Sequence, residues 1–141
     1  MGSRRKAREA AVQMLYQMDV AGVDAERAIE LFWANMAATP EGQAPEGQDF
    51  ANELVRGYGE TREAIDERIR AVSKHWRLER MARVDRNIIR LGAYELLHVA
   101  AVPSRVTLNE SVELAKRFGN EESAAFVNGV LDRIAADVHK D

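Results

Sequence analysis

The hydrophobic positions of the first part of the chain repeat with the period of an α-helix. Apolar residues recur at the spacing of one helix face over residues 7–18, with Ser3 as the candidate N-cap and Gly22 at the end. Asp24 is placed to cap a second helix, which ends before residues 39–48. Those residues contain two Pro-Glu-Gly-Gln units, which predict a solvated loop.

A long helix and a central helix are predicted after this loop. Apolar residues recur at helical spacing over residues 50–72, where Gly57 and Gly59 are expected to weaken or kink the helix. The next helix is predicted over residues 84–99, before Pro103, and its apolar residues lie on more than one side. Such a helix is expected to lie at the centre of a helical bundle.

Capping signals predict two more helices near the carboxyl end. Thr107 and Glu110 have the spacing of a capping box, which predicts a helix that opens at Thr107 and closes at Gly119. The last helix is expected to start at Asn120 or Glu121. Because no alternating strand pattern appears, the sequence predicts an all-α protein of about six helices.

Length and composition indicate one globular domain. A chain of 141 residues with 46% hydrophobic and 30% charged residues is long and apolar enough for a core. Helical chains of this length often form two small bundles, so one domain is predicted, with helical subdomains at about residues 1–75 and 76–141. The sequence has no cysteine, no apolar leader segment and no run of the length that crosses a membrane, which indicates a cytoplasmic protein.

The net charge of −3 conceals an uneven distribution of charges. Residues 24–67 contain eleven acidic and three basic residues, whereas residues 1–8 contain four basic residues and no acidic one. Residues 74–90 add six basic residues against two acidic ones. Two basic regions therefore flank an acidic middle region, a pattern that favours an anionic partner for the basic ends.

Catalytic chemistry has little support in this sequence. His75, His98 and His139 are far apart and form no pair at metal-ligand spacing, and no phosphate-binding glycine loop is present. Glu95 falls among the apolar residues of the central helix, where a structural carboxylate with a hydrogen-bonding partner is favoured over a catalytic acid. The protein is therefore predicted to be no enzyme, with no metal site and no cofactor.

Two basic clusters and two residues of the last helix are candidates for binding single-stranded nucleic acid. The cations of the first helix would contact phosphates, and three arginines of the central helix would project within about 60° of one another. Phe126 lies off the apolar stripe, beside Gly129 and Arg133, where its ring can stack on a base. The predicted RNA-binding residues are Arg4, Arg5, Lys6, Arg8, Arg83, Arg86, Arg90, Phe126 and Asn128. The open alternatives are a frayed terminus, a solvated helix face and a phenyl ring at the edge of the core.

The first helix also has apolar residues opposite its core stripe. Val12 and Tyr16 lie on the face shared by Arg5, and tyrosine is common in protein interfaces. This face is predicted to bind a protein partner. The alternative is another helix of the same chain that covers this side.

Four segments resemble the NusB family of bacterial transcription antitermination factors, and the resemblance extends over nearly the whole chain. The segments are residues 4–16, 84–96, 109–116 and 118–132. The resemblance implies two small helical bundles that share a continuous core. It also implies binding of the boxA element of ribosomal RNA leader transcripts, jointly with the ribosomal protein NusE, and no catalysis.

The resemblance also assigns roles by position. It implies that the cations of the first helix meet boxA phosphates, that Phe126 lies near a base, and that Tyr16 and Asp85 face NusE. A transcription elongation complex that carries this assembly would resist premature termination. The alternative is a helical protein-interaction module, or a homodimer through the Tyr16 face, that does not bind RNA directly.

Overall fold

The protein is all-helical throughout the residues that the structure, a computed structural model, describes, which are 2–37, 47–138 and 140. These residues form six α-helices and one short 3₁₀ helix, and they contain no strand. In chain order the elements are α1 (Gly2–Ala21), α2 (Ala25–Ala37), α3 (Gln48–Val72), the 3₁₀ helix (Leu78–Arg80), α4 (Arg83–His98), α5 (Ser104–Phe118) and α6 (Ser123–Ala136). The predicted fold class is therefore confirmed.

The boundary between α1 and α2 follows the predicted signals. Gly22 has a φ of 70°, in the left-handed region that favours glycine, and its N–H donates to Met18 O at 2.9 Å. Asp24 Oδ1 accepts a hydrogen bond from the backbone N–H of Arg27 at 2.9 Å, which caps α2. Both of these predictions are confirmed.

Three other predicted helix starts are wrong, one of them at α6, which begins at Ser123 and not at Asn120 or Glu121. Because α1 already includes Gly2, Ser3 lies in the first helical turn and is not the N-cap. Because α5 begins at Ser104, directly after Pro103, Thr107 lies inside the helix and opens no capping box. Proline has the fixed φ that suits a helix start, here −61°, so it marks this boundary better than the threonine.

Helix α3 is interrupted at Thr61, whose φ of −116° and ψ of 16° are not helical. The interruption lies just after Gly57 and Gly59, where the glycines predict a weak point. The chain divides at the same place into two compact units, residues 1–60 and 61–141. The sequence places the subdomain boundary later, near residue 75. Residues 38–46 lie outside the described part of the chain, and most of the predicted loop at 39–48 falls there.

The first unit contains α1, α2 and the first part of α3. Arg56 of α3 pairs with Glu26 of α2, with Nε–Oε2 and Nη2–Oε1 distances of 2.6 and 3.2 Å. The hydrogen bond from Arg56 holds the pKa of the Glu26 carboxyl below its usual value. Trp33 Nε1 donates to Asn52 Oδ1 at 2.6 Å and joins the same two helices a second time.

The second unit is built around α4, which packs against both α5 and α6. Its buried apolar residues are Ile88, Ile89, Leu91, Ala93 and Leu96. A Cβ atom at Gly92 would lie 2.6 Å from Leu131 Cδ1 and 3.0 Å from Ser111 Oγ. The missing side chain at Gly92 therefore allows α6 and α5 to approach α4 closely.

Three buried polar residues of α4, Asn87, Arg90 and Glu95, have hydrogen-bond partners within the second unit. Arg90 forms a two-pronged ion pair with Asp66 of α3, with Nε–Oδ1 and Nη2–Oδ2 distances of 3.0 and 3.1 Å. Its Nη1 donates to Asn87 Oδ1 at 3.1 Å. Thr107 Oγ1 donates to Glu95 Oε1 at 3.1 Å, which confirms the expected structural role of Glu95.

We predict that Arg90→Ala lowers the free energy of unfolding by about 3–5 kcal/mol, because the substitution leaves the Asp66 carboxylate buried without its guanidinium. Arg83→Ala is the control, since Arg83 is an exposed arginine of the same helix, and its effect is expected to stay within about 0.5 kcal/mol. Urea unfolding followed by circular dichroism measures both. Equal losses for the two variants would contradict a structural role of the ion pair.

Candidate nucleic-acid interface

The basic cluster at the start of α1 is partly exposed and partly buried. Arg4, Arg5 and Lys6 are exposed, and Arg4 Cζ lies 4.1 Å from the centroid of the Phe50 ring. Arg8 is only 3% exposed, and its Cζ lies 5.5 Å from the same ring. The prediction of Arg8 as an exposed cation that contacts phosphates is therefore wrong. Arg4 and Arg8 are one helical turn apart, and Phe50 of α3 lies against both side chains.

The three arginines of α4 do not form the predicted strip of exposed charge. Arg83 is exposed, whereas Arg86 is half-buried and its Nη1 donates to Leu78 O and Glu79 O at 3.4 and 3.2 Å. Arg90 is 6% exposed and is held by Asp66. The prediction of Arg90 as a surface RNA ligand is wrong. Helical spacing gives the direction of a side chain, but it does not tell which neighbouring helix covers that side.

Phe126 lies beside a tryptophan that the sequence pattern does not single out. The ring centroids of Phe126 and Trp76 are 6.0 Å apart, and the ring planes meet at 79°. Phe126 is half-buried, whereas Trp76 is 63% exposed. The sequence signal for Trp76 is its place between Lys74 and Arg77, an aromatic residue among basic ones.

Several hydrogen bonds hold the segment that carries Trp76. Ser73 Oγ donates to Ile69 O at 2.7 Å, and the backbone N–H of Trp76 donates to Ser73 O at 2.9 Å. Arg133 of α6 donates from Nη1 to Val72 O, at the end of α3, at 2.9 Å. Phe126 is also on α6. The hydrogen bond from Arg133 therefore connects the helix that carries Phe126 to the segment that carries Trp76.

The start of α6 is fixed by a small polar network. The backbone N–H of Asn120 donates to Ser123 Oγ at 3.0 Å, and the backbone N–H of Glu122 donates to Asn120 Oδ1 at 2.9 Å. Asn128 and Gly129 are exposed on the same helix, and apart from the adjoining backbone of α6 a Cβ atom at Gly129 would contact no described residue within 4 Å. The surface next to Phe126 is therefore open.

The three predicted partner-binding residues differ in exposure. Tyr16 is 38% exposed, and Val20, one turn further along α1, is 46% exposed. Val12 is 4% exposed, so the prediction of Val12 as a partner contact is wrong and the side chain belongs to the core. Asp85 is 8% exposed, and its Oδ1 has no hydrogen-bond partner within the described residues. A buried carboxylate oxygen without a donor is uncommon in folded proteins.

Neither a metal cluster nor a membrane span occurs in the described ranges of the chain. Within residues 2–37, 47–138 and 140, no group of three His, Cys, Asp or Glu side chains is arranged to hold a metal ion. No helix in this part of the protein is long and apolar enough to cross a bilayer.

Comparison with known proteins gives one consistent result. The model of the NusB family matches residues 5–136. A transcription antitermination protein NusB of Sorangium cellulosum is 54% identical over 138 residues, which are 98% of this chain and 95% of that protein.

Two solved structures share the fold. The structure of T. maritima NusB aligns with 96% of this chain and over 92% of its own length, with a TM-score of 0.83 and 37% sequence identity. A NusB chain from a structure of the antitermination factors NusB and NusE in complex with dsRNA aligns with 96% of this chain and over 98% of its own length. The TM-score is 0.80 and the sequence identity is 30%. This chain, with its helical core and its basic and aromatic surface residues, belongs to the NusB family of transcription antitermination proteins.

Proposed function

We propose that the protein is a non-enzymatic adaptor that binds the boxA element of ribosomal RNA leader transcripts together with NusE, within the transcription elongation complex in the cytoplasm. Family membership supports this proposal, as does the related structure in which NusB, NusE and dsRNA occur together. The RNA-binding residues are Arg4, Arg5, Lys6, Arg83, Phe126 and Asn128.

The observation that carries the RNA-binding proposal is the group of three adjacent exposed cations at the start of α1. Arg4, Arg5 and Lys6 are exposed in a chain whose net charge is −3. Their charge is therefore a local feature, and it would attract phosphates to one end of the helix. Phe126 adds an aromatic surface on which a base can stack, while Asn128 offers an amide for hydrogen bonds.

The contact with NusE is assigned to Asp85 and Tyr16. Asp85 Oδ1 is buried without a donor in the described part of the chain, and a partner that brings a donor would remove this cost. Tyr16 and Val20 offer exposed apolar area on α1. Tyrosine is enriched in protein interfaces because it buries a large area with few rotatable bonds.

The absence of catalysis is supported by the state of the ionisable groups. Hydrogen bonds and ion pairs lower the pKa of the Glu26 and Glu79 carboxyls and raise the pKa of the Arg56 guanidinium, and all three groups lie on the surface. Glu95 is occupied by Thr107. These groups have structural roles, and they are not gathered around a substrate site.

We expect the protein, with NusE present, to bind a boxA oligonucleotide more tightly than a scrambled one. Replacement of Arg4, Arg5 and Lys6 by alanine should weaken binding to both RNAs, and the slope of log Kd against log salt concentration should fall by about 2. Fluorescence anisotropy at a series of salt concentrations measures both effects.

The matched control removes three other exposed cations, Arg62, Arg105 and Lys116, and changes the net charge by the same amount. Its salt slope should stay close to that of the unsubstituted protein. If both triple variants behave alike, net charge and not the start of α1 determines the affinity. If boxA and scrambled RNA bind equally, the boxA specificity is lost.

Replacement of Asp85 by asparagine should weaken binding of NusE by about tenfold or more, because the substitution removes the charge that a buried donor would meet. The stability of the isolated protein should stay the same or rise, since Asp85 Oδ1 has no donor there to lose. Isothermal titration calorimetry and thermal unfolding measure the two effects. Glu63→Gln, at an exposed residue of α3, is the control. Unchanged NusE affinity in Asp85→Asn would contradict this assignment.

A homodimer through the α1 face is the second candidate, and the exposed Tyr16 and Val20 favour it. In this case the α1 face would bind a second copy of the chain, and Tyr16→Asp would abolish self-association. Sedimentation velocity over a range of concentrations measures the association. A monomer at all concentrations excludes this candidate. Dissociation of the dimer on addition of RNA would indicate that the two partners compete.

A further inference from the structure

We propose that Trp76 is a base-stacking site for single-stranded RNA, continuous with Phe126. The inference rests on the proposed RNA-binding function and adds to it a stacking residue and a preference for unpaired bases. Trp76 is the most exposed of the large hydrophobic side chains in the described residues, with 63% of its surface accessible. Because a ring with this exposure leaves a face open to solvent, a base can stack on it.

The edge-to-face contact of Trp76 with Phe126 determines what the pair can bind. The ring planes meet at 79° and their centroids are 6.0 Å apart, so one flat base cannot lie parallel to both rings. A single base stacked on Trp76 therefore leaves Phe126 for another base. The pair is suited to an unpaired strand whose neighbouring bases turn away from each other, and it is unsuited to a duplex, in which the base faces are covered.

The surroundings of Trp76 carry the charge that an RNA backbone requires. Trp76 lines an open cleft of about 290 Å³ together with Arg70, Lys74, Arg77 and Glu79. The acid in this cleft is already neutralised, because Glu79 Oε2 lies 3.3 Å from Arg70 Nη2. Lys74 and Arg77 are exposed and flank Trp76 in the sequence. Their positive charges favour an RNA strand over a neutral or cationic protein segment as the occupant.

Trp76 is also held in place before any ligand arrives. Its backbone N–H donates to Ser73 O, and the preceding turn of α3 is fixed by Ser73 Oγ on Ile69 O and by Arg133 on Val72 O. A stacking ring on a fixed segment loses little conformational freedom when a base binds. The same bond from Arg133 connects the Trp76 segment to α6, which carries Phe126.

The first experiment uses the two tryptophans of the chain, Trp33 and Trp76, as separate reporters. In Trp33→Phe the emission comes from Trp76 alone, and we expect a single-stranded boxA oligonucleotide to quench it, because a stacked base accepts charge from the excited indole. In Trp76→Phe the emission comes from Trp33, which is half-buried and bonded to Asn52, and it should not change. Quenching of Trp33 alone would overturn the proposal.

The second experiment separates stacking from charge. Trp76→Ala should weaken binding of the single-stranded oligonucleotide by about 5- to 100-fold, whereas Trp76→Phe should retain most of the affinity. An abasic ribose-phosphate strand of the same length and a duplex of the same sequence should bind equally to the unsubstituted protein and to Trp76→Ala. Because Trp76 is largely exposed, thermal unfolding should show that Trp76→Ala is folded.

The outcomes distinguish this inference from the function on which it rests. If Phe126→Ala weakens RNA binding and Trp76→Ala does not, the stacking role of Trp76 is wrong while the proposed function stands. If boxA and scrambled single strands bind equally but both depend on Trp76, the stacking role stands and the boxA specificity is wrong. If Trp76→Ala weakens binding of NusE and not of RNA, the cleft is a protein contact and the inference is overturned. If the unsubstituted protein binds no RNA, both are wrong.

Discussion

The burial of α4 is the constraint on which the second unit depends. This helix contacts both α5 and α6, and its buried residues occupy most of its circumference. A polar group in such a place needs a partner inside the protein, because an unpaired one costs about 1–3 kcal/mol. Arg90 and Glu95 have such partners in Asp66 and Thr107. Asp85 Oδ1 has none among the described residues, and this sets Asp85 apart from the other polar residues of the helix.

The packing of α4 also determines where the aromatic surface residues lie. Gly92 allows Leu131 of α6 to approach closely, and the side of α6 away from this contact remains open at Gly129. Arg133 then connects α6 to the end of α3. The contact between Gly92 and Leu131 therefore positions α6 and its Phe126. The hydrogen bond from Arg133 to Val72 O positions the segment that carries Trp76. Residues held in this way can present rings to a ligand without first becoming ordered.

Charge and stacking have different parts in the proposed function. The exposed cations of α1, and Lys74 and Arg77 beside Trp76, would give affinity that depends on salt and hardly on sequence. The two aromatic rings would instead require unpaired bases, which selects the form of RNA. Asp85 and Tyr16 would add a protein partner. Joint binding of RNA and NusE would then combine several moderate contributions, and no single contact would need to be strong.

The sequence by itself determined the helices, several of their ends and the family. Hydrophobic period, Gly22 and the Asp24 cap are local signals, and local signals need no knowledge of the neighbouring helices. Only the tertiary structure decided which of the predicted binding residues are exposed to a partner. Arg8, Arg90 and Val12 each lie on a face that looks exposed in an isolated helix, but other parts of the chain bury them. The place of Trp76 among basic residues is visible in the sequence, but its contact with Phe126, fifty residues later, is not, because side chains distant in sequence meet only once the helices pack.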